Sequence, residues 1–291
     1  MKRIDVHVHA SMWKNTEFGS DKCLVSPEEL LESYRENGID KGILMSLTGV
    51  EAAFITQSNE EIAYIASKYP DSFYFCCNID PRMGKYSTTT DISEILMYYK
   101  KLGAVGVGEL TANIPTDDPL MDNLFSHCEK CSMPVTIHIA TKVGGSYGIA
   151  DEFGLPRLER MLKAHPDLKV IGHSQCFWSH ISADVTEENW WGYPTGKVTP
   201  GRIVELMREY PNLYCDLSAD SGYMAFTRDL DFTADFINEF SNRIMFGTDF
   251  TSPGRTSKLA QFLDNSLETK YISQDNYNKI CFENAIRVYE L

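Results

Sequence analysis

Eight short runs rich in β-branched and aromatic residues alternate with helical patterns along the chain, and this alternation most limits what it can fold into. The runs fall at about 4–9, 39–47, 73–79, 104–110, 134–140, 168–174, 213–219 and 244–250. The segments between them carry helix-end signals. Ser26-Pro27-Glu28-Glu29 offers a serine cap, a proline at the first helical position and acids in the first turn, and Gly38 stands where that helix should end. A second helix starts at Ser58 and stops before Pro70. Others are predicted over about 91–102, 119–132, 155–165, 201–210 and 232–241, and the C-terminus is helical. Such alternation implies parallel strands joined by right-handed crossovers. Eight units in 291 residues predict an α/β protein, a single-domain (β/α)8 TIM barrel spanning 1–291, with a doubly wound open sheet as the alternative. No glycine-rich phosphate loop follows an early strand, which counts against the open sheet. One long stretch, about 175–200, is predicted to be a lid-like insertion.

In such a barrel the C-terminal strand ends carry the chemistry. The first strand reads Asp5-Val6-His7-Val8-His9. Alternate strand residues share a face, so Asp5, His7 and His9 are expected on one side and Ile4, Val6 and Val8 on the other. Two histidines at i and i+2 can reach one metal ion; the plainer reading is an edge strand with a solvated polar face. Asp5 lies about 6–7 Å before His7 by strand rise and reads as a structural carboxylate. Glu109, His138, His173 and Asp249 end the fourth, fifth, sixth and eighth strands. Scattered placement would not end five strands in good metal ligands. The mixture of imidazole and carboxylate leaves zinc, manganese and iron open.

These elements together, in this order along the whole chain, resemble the metal-dependent amidohydrolase superfamily. The similarity is to its amidohydrolase-related branch, which includes aminocarboxymuconate-semialdehyde decarboxylase-like enzymes. The resemblance implies that His7, His9, His138 and Asp249 ligate a first metal. His173 would then bind a second metal or polarise substrate or water. The stretch Gly106-Val107-Gly108-Glu109 is similar to the bridging-glutamate motif of TatD-type deoxyribonucleases, so Glu109 is either a ligand or a buried hydrogen-bonded carboxylate. One or two divalent ions are implied, zinc first, with Mn2+ or Fe2+ as alternatives. A metal lowers the pKa of a bound water from about 15.7 towards about 7. Asp249 would accept that water's proton and pass it to the leaving group, while His173 could stabilise an oxyanion. Hydrolysis of a small lactone, amide or ester is the implied reaction. The alternatives are decarboxylation or hydration of an unsaturated carboxylic acid, and a barrel that binds metal or ligand without turnover.

Forty-one acidic against 27 basic residues give a formal charge of −14, which disfavours nucleic acid and hence nuclease activity. A small-molecule substrate fits better, one that carries a carboxylate among them. Arg82, Lys142 and Arg255 follow the third, fifth and eighth strands and could meet such an anion, though each taken singly reads first as a solvated surface charge. Trp178, Trp190, Trp191 and Tyr193 in the insertion could touch substrate, pack the lid onto the barrel or meet another subunit in a homo-oligomer. Asp216 and Ser218 share a face and read as hydrogen-bonding groups within the barrel. His127 and His165 lie on helices away from the strand ends. With no membrane-length apolar run and no signal-like segment, a cytoplasmic location without membrane contact is expected. Eight cysteines, including Cys23 and the Cys128/Cys131 pair, do not form a disulfide framework in so long a chain and read mainly as thiols.

Overall fold

A computed structural model describes residues 3–13, 24–49, 51, 56–83 and 87–291; Cys23 and much of the loop after the first strand lie outside them. The strands are β1 (Ile4–Val8), β2 (Lys41–Met45), β3 (Phe73–Cys77), β4 (Ala104–Leu110), β5 (Val135–Ala140), β6 (Ile149–Ala150), β7 (Val170–His173), β8 (Leu213–Asp216) and β9 (Ile244–Met245). All pair in parallel, in the order β1-β2-β3-β4-β5-β7-β8-β9. The two-residue β6 pairs with β5 outside this path and was not anticipated. Closure runs through the segment after β9: Val6 N donates to Phe246 O at 3.0 Å and Asp249 N to His7 O at 2.8 Å. The predicted (β/α)8 barrel is therefore what the chain forms.

Local signals act where they stand in the sequence. The first helix, Pro27–Asn37, has the full capping box between Ser26 and Glu29 and ends on Gly38 at φ 63°. The apolar strands are buried on both faces. One layer, including Leu30, Ile62, Phe125 and Leu206, lies between barrel and helices. The other packs Ile4, Val6, Ile43, Met45, Ile171 and Met245 with Val288 and Tyr289 of the C-terminal helix. No helix among the described residues is long and apolar enough to cross a membrane.

One expectation fails at β1. Asp5 does not share a face with His7 and His9. Its Oδ2 accepts from Tyr34 Oη of the first helix at 2.8 Å, whereas His7 and His9 turn into the barrel mouth. The β1–β2 register shifts between Asp5 and Val8, and that irregularity breaks the two-residue period. Gly42 on β2 makes room for Tyr34, since a Cβ there would stand 2.2 Å from the phenol oxygen.

The stretch 175–200, expected as a lid-like insertion, is tied down. It begins with a short helix, Gln175–Ser179, that buries Trp178, and His180 packs between Phe153 and Trp190 at 5.3 and 5.2 Å. Arg228 donates to the carbonyls of Thr195, Gly196 and Lys197.

Candidate metal centre

Four strands and one loop bring the predicted ligands together. His7 comes from β1 and His9 stands just beyond it; Glu109 is in β4, His138 in β5, His173 in β7 and Asp249 in the loop after β9. Each inner imidazole is aimed through its Nδ1. His9 Nδ1 donates to Met45 O at 3.0 Å. His7 and His173 both use Nδ1 against Asp216, at 3.1 Å to Oδ2 and Oδ1 respectively. Ser218 N also donates to Asp216 Oδ1 at 2.9 Å, so the β8 carboxylate anticipated as a barrel hydrogen-bonder in fact orients two candidate ligands.

Their Nε2 atoms consequently face one small volume. Glu109 Oε1 is 3.8 Å from His7 Nε2 and 3.7 Å from His173 Nε2, and Glu109 Oε2 is 3.9 Å from His9 Nε2. Asp249 Oδ1 lies 3.9 Å from His7 Nε2 and 3.5 Å from His9 Nε2. These separations are too long for hydrogen bonds. They match the spacing of about 3–4 Å expected of donors that each sit about 2.0–2.2 Å from a shared ion. His7 Nε2 is fully buried without a hydrogen-bond partner, a costly arrangement that a cation would relieve. The donor set fits a divalent metal.

The electrostatics point the same way. Burial opposes charging His7, yet Asp216 and Glu109 outweigh it and hold the imidazole up at about 10. Burial would raise Glu109, but His138 and His7 keep it well below the usual carboxylate range; His173 and His7 do the same for Asp216. His9 is pushed down, chiefly by burial. The pocket is a buried anionic cage that retains positive charge at its centre.

Glu109 is fastened at both oxygens. His138 Nδ1 stands 2.6 Å from Oε1, and Tyr147 Oη donates to Oε2 at 2.6 Å. Tyr147 was not singled out in the sequence. The signal available was its setting, Gly144-Gly145-Ser146-Tyr147-Gly148, a glycine-rich turn just past a strand end. A cavity of about 230 Å³ opens over this centre, lined by His9, Glu109, His138, Tyr147, Asp249 and Thr251 among others. Asp249 has a side chain 27% exposed, against 3% or less for His7, His9 and Glu109.

The proposed substrate contacts separate. Arg82 is held by Glu51 and Asp80, at 2.6 Å each. Lys142 is exposed, on the loop that carries Tyr147. Trp178 is 2% exposed and donates Nε1–H to Asp216 O at 3.0 Å, so it supports the centre from beneath. Arg255 lines a second cavity, of about 320 Å³, together with Asp249 and Tyr193. His127 and His165 bond Ser93 and Asp122, outside the barrel mouth. The seven described cysteines are free and buried.

Comparison with known proteins adds a family and a fold. Residues 4–291 match the family model described as amidohydrolase. No curated protein matches the sequence. An uncharacterised TIM-barrel protein from Bordetella bronchiseptica is 21% identical, with TM-score 0.68 over 100% of this chain and 99% of its own. An amidohydrolase from Burkholderia multivorans with bound zinc is 13% identical, with TM-score 0.66 and full coverage of both chains. A dihydroxybenzoic acid decarboxylase from Polaromonas sp. JS666, holding manganese and 2-nitroresorcinol, is 17% identical, with TM-score 0.61 over 99% of this chain and 97% of its own. At these identities the likeness is one of fold.

Proposed function

The chain belongs to the amidohydrolase family, and on that premise we propose that it is a metal-dependent hydrolase of a small lactone, amide or ester. The observation that carries this is the convergence of three Nε2 atoms and two carboxylates on one volume, with His7 Nε2 orphaned inside it. His7, His9, Glu109 and Asp249 would hold a divalent ion there. Glu109, His138 and His173 form an adjoining cluster that a second ion would use. Zinc or manganese suits this donor set, and solved structures of the same fold carry one or the other.

When bound, the ion supplies Lewis acidity to a substrate oxygen and makes a water easier to deprotonate. The rest falls to the side chains. Asp249 presents a partly exposed carboxylate to the cavity, takes the water's proton and returns it to the leaving group. In a site with one ion, His173, held at Nδ1 by Asp216, whose charge favours the protonated ring, would turn Nε2–H to the same space and donate to the carbonyl oxygen as it gains charge. Glu109, clamped by His138 and Tyr147, keeps the donors apart.

The test is metal analysis of protein purified without chelator, followed by a screen of lactones, N-acyl amino acids and carboxymuconate-like acids. Bound metal with hydrolytic turnover supports the reading. Release of CO2 would transfer the same residues to a decarboxylase, and metal without any turnover would leave a binding barrel. No metal at all would overturn the reading.

A further inference from the structure

The cavity of about 320 Å³ beside Asp249 is not used by the chemistry described above. It adjoins the metal-centre cavity, since Asp249 and Thr251 line both, so a ligand held in it lies beside the Asp249 of the centre. Its walls come from the loop after β9, from the start of the helix Lys258–Glu268 and from the helix Ala219–Thr227, with Tyr193 at its edge.

What distinguishes this cavity is its charge. The chain is strongly acidic, and several cations on the loops around the barrel are matched: Arg82 by Glu51 and Asp80, Arg157 by Asp117 and Glu152, Arg228 by Asp184. Two cations line the cavity. Lys258 Nζ stands 3.5 Å from Asp220 Oδ1, so its charge is partly answered. Arg255 donates from Nε to Ser252 Oγ at 2.9 Å, and among the described residues no carboxylate pairs with its guanidinium. Asp249, the other acid in the wall, faces His9 and His7. Arg255 is thus, among the described residues, a cation without a carboxylate partner in a space that adjoins the reacting centre. A guanidinium presents paired N–H donors that match a carboxylate.

We propose that this cavity is an anion subsite in which Arg255, assisted by Lys258, binds a second carboxylate of the substrate, remote from the group that reacts. The inference rests on the proposed metal-dependent reading for what occupies the other cavity, and it narrows the substrate class to dicarboxylic compounds or their mono-esters, lactones and amides. Thr256 and Ser257 stand in the same wall.

The test uses the full-length, metal-replete protein and two simple probes, glutarate and butyrate, which share a carboxylate and differ in the second. Calorimetric titration of the wild type should show glutarate binding on the order of tenfold or more tighter, a preference that shrinks as sodium chloride is raised. Arg255→Gln should bring glutarate down to the level of butyrate and leave butyrate unchanged, with an unaltered thermal melt. Lys258→Gln should reduce the preference in part. Equal binding of the two probes in the wild type, binding of neither, or a preference that survives Arg255→Gln would each overturn the proposal. A retained preference in a protein that hydrolyses nothing would fault the hydrolase reading and leave the subsite standing.

Discussion

Nδ1 of His7 donates to the buried carboxylate of Asp216 at 3.1 Å, and the same carboxylate takes His173 at the same distance through its other oxygen. One side chain on β8 therefore sets the tautomer and aim of two imidazoles on different strands. Asparagine has a single acceptor oxygen, so Asp216→Asn must leave one ring without its partner. The expected result is metal affinity lower by about 10–100-fold, measured by competition with a chromogenic chelator. Circular dichroism should show the barrel retained.

Asp249 is the most solvent-accessible acid of the centre, and its carboxylate stands 3.5 Å from His9 Nε2. Asp249→Asn keeps the size and removes the proton acceptor. Once a substrate is in hand, kcat should fall by on the order of 10²–10⁴-fold, the usual span for a positioned acid or base. Metal content measured on the same sample separates a lost base from a lost ligand. Undiminished kcat would refute the assigned role.

The barrel was legible because parallel strands buried on both faces read as apolar runs, and because ligands at strand ends interrupt those runs. His7, His9, Glu109, His138, His173 and Asp249 all meet where barrel geometry puts them. Features that depend on irregular backbone were not legible. Asp5 was placed with His7 by a period of two, and the register shift at β1 defeats that period. The helix Ala219–Thr227 contains Gly222 and two serines or threonines, so no propensity announces it; Gly222 is required because a Cβ would stand 2.4 Å from Leu217 backbone. Arg82 and Arg255 look alike in the sequence. They differ only in whether folding brings carboxylates to them, which is tertiary information.

Trp178 joins the insertion to the centre. It packs edge-on against Phe177 and Phe226, at 5.3 and 5.7 Å between centroids, and its indole N–H holds Asp216 O. Trp178→Ala should cost about 3–5 kcal/mol in urea unfolding, the range for emptying an aromatic site in a packed core. Trp178→Phe keeps most of the packing and removes the donor. Its cost should be about 1 kcal/mol, the net worth of one hydrogen bond.

His180 links stability to pH at a place remote from the ligands' own titration. Its Nδ1 donates to Cys176 O at 2.8 Å and its Nε2 accepts from Gly154 N at 3.0 Å, an arrangement only the neutral ring can make. Burial pulls its pKa down from 6.5 to about 4. Between those values the unfolded chain holds a proton that the folded chain refuses. The contribution is therefore complete above about pH 6.5 and is lost as the pH falls towards about 4, by up to about 3 kcal/mol at roughly 1.4 kcal/mol per pH unit. Asp151 runs the other way, because burial raises its carboxyl to about 6 and favours the fold as that group protonates. Total stability against pH thus mixes opposite slopes, and His180→Gln isolates one of them. Urea unfolding at intervals from pH 7 to pH 4 should show the wild type losing its advantage over the variant progressively below pH 6.5. A difference that stays constant across that range would mean that His180 is not held neutral by its burial.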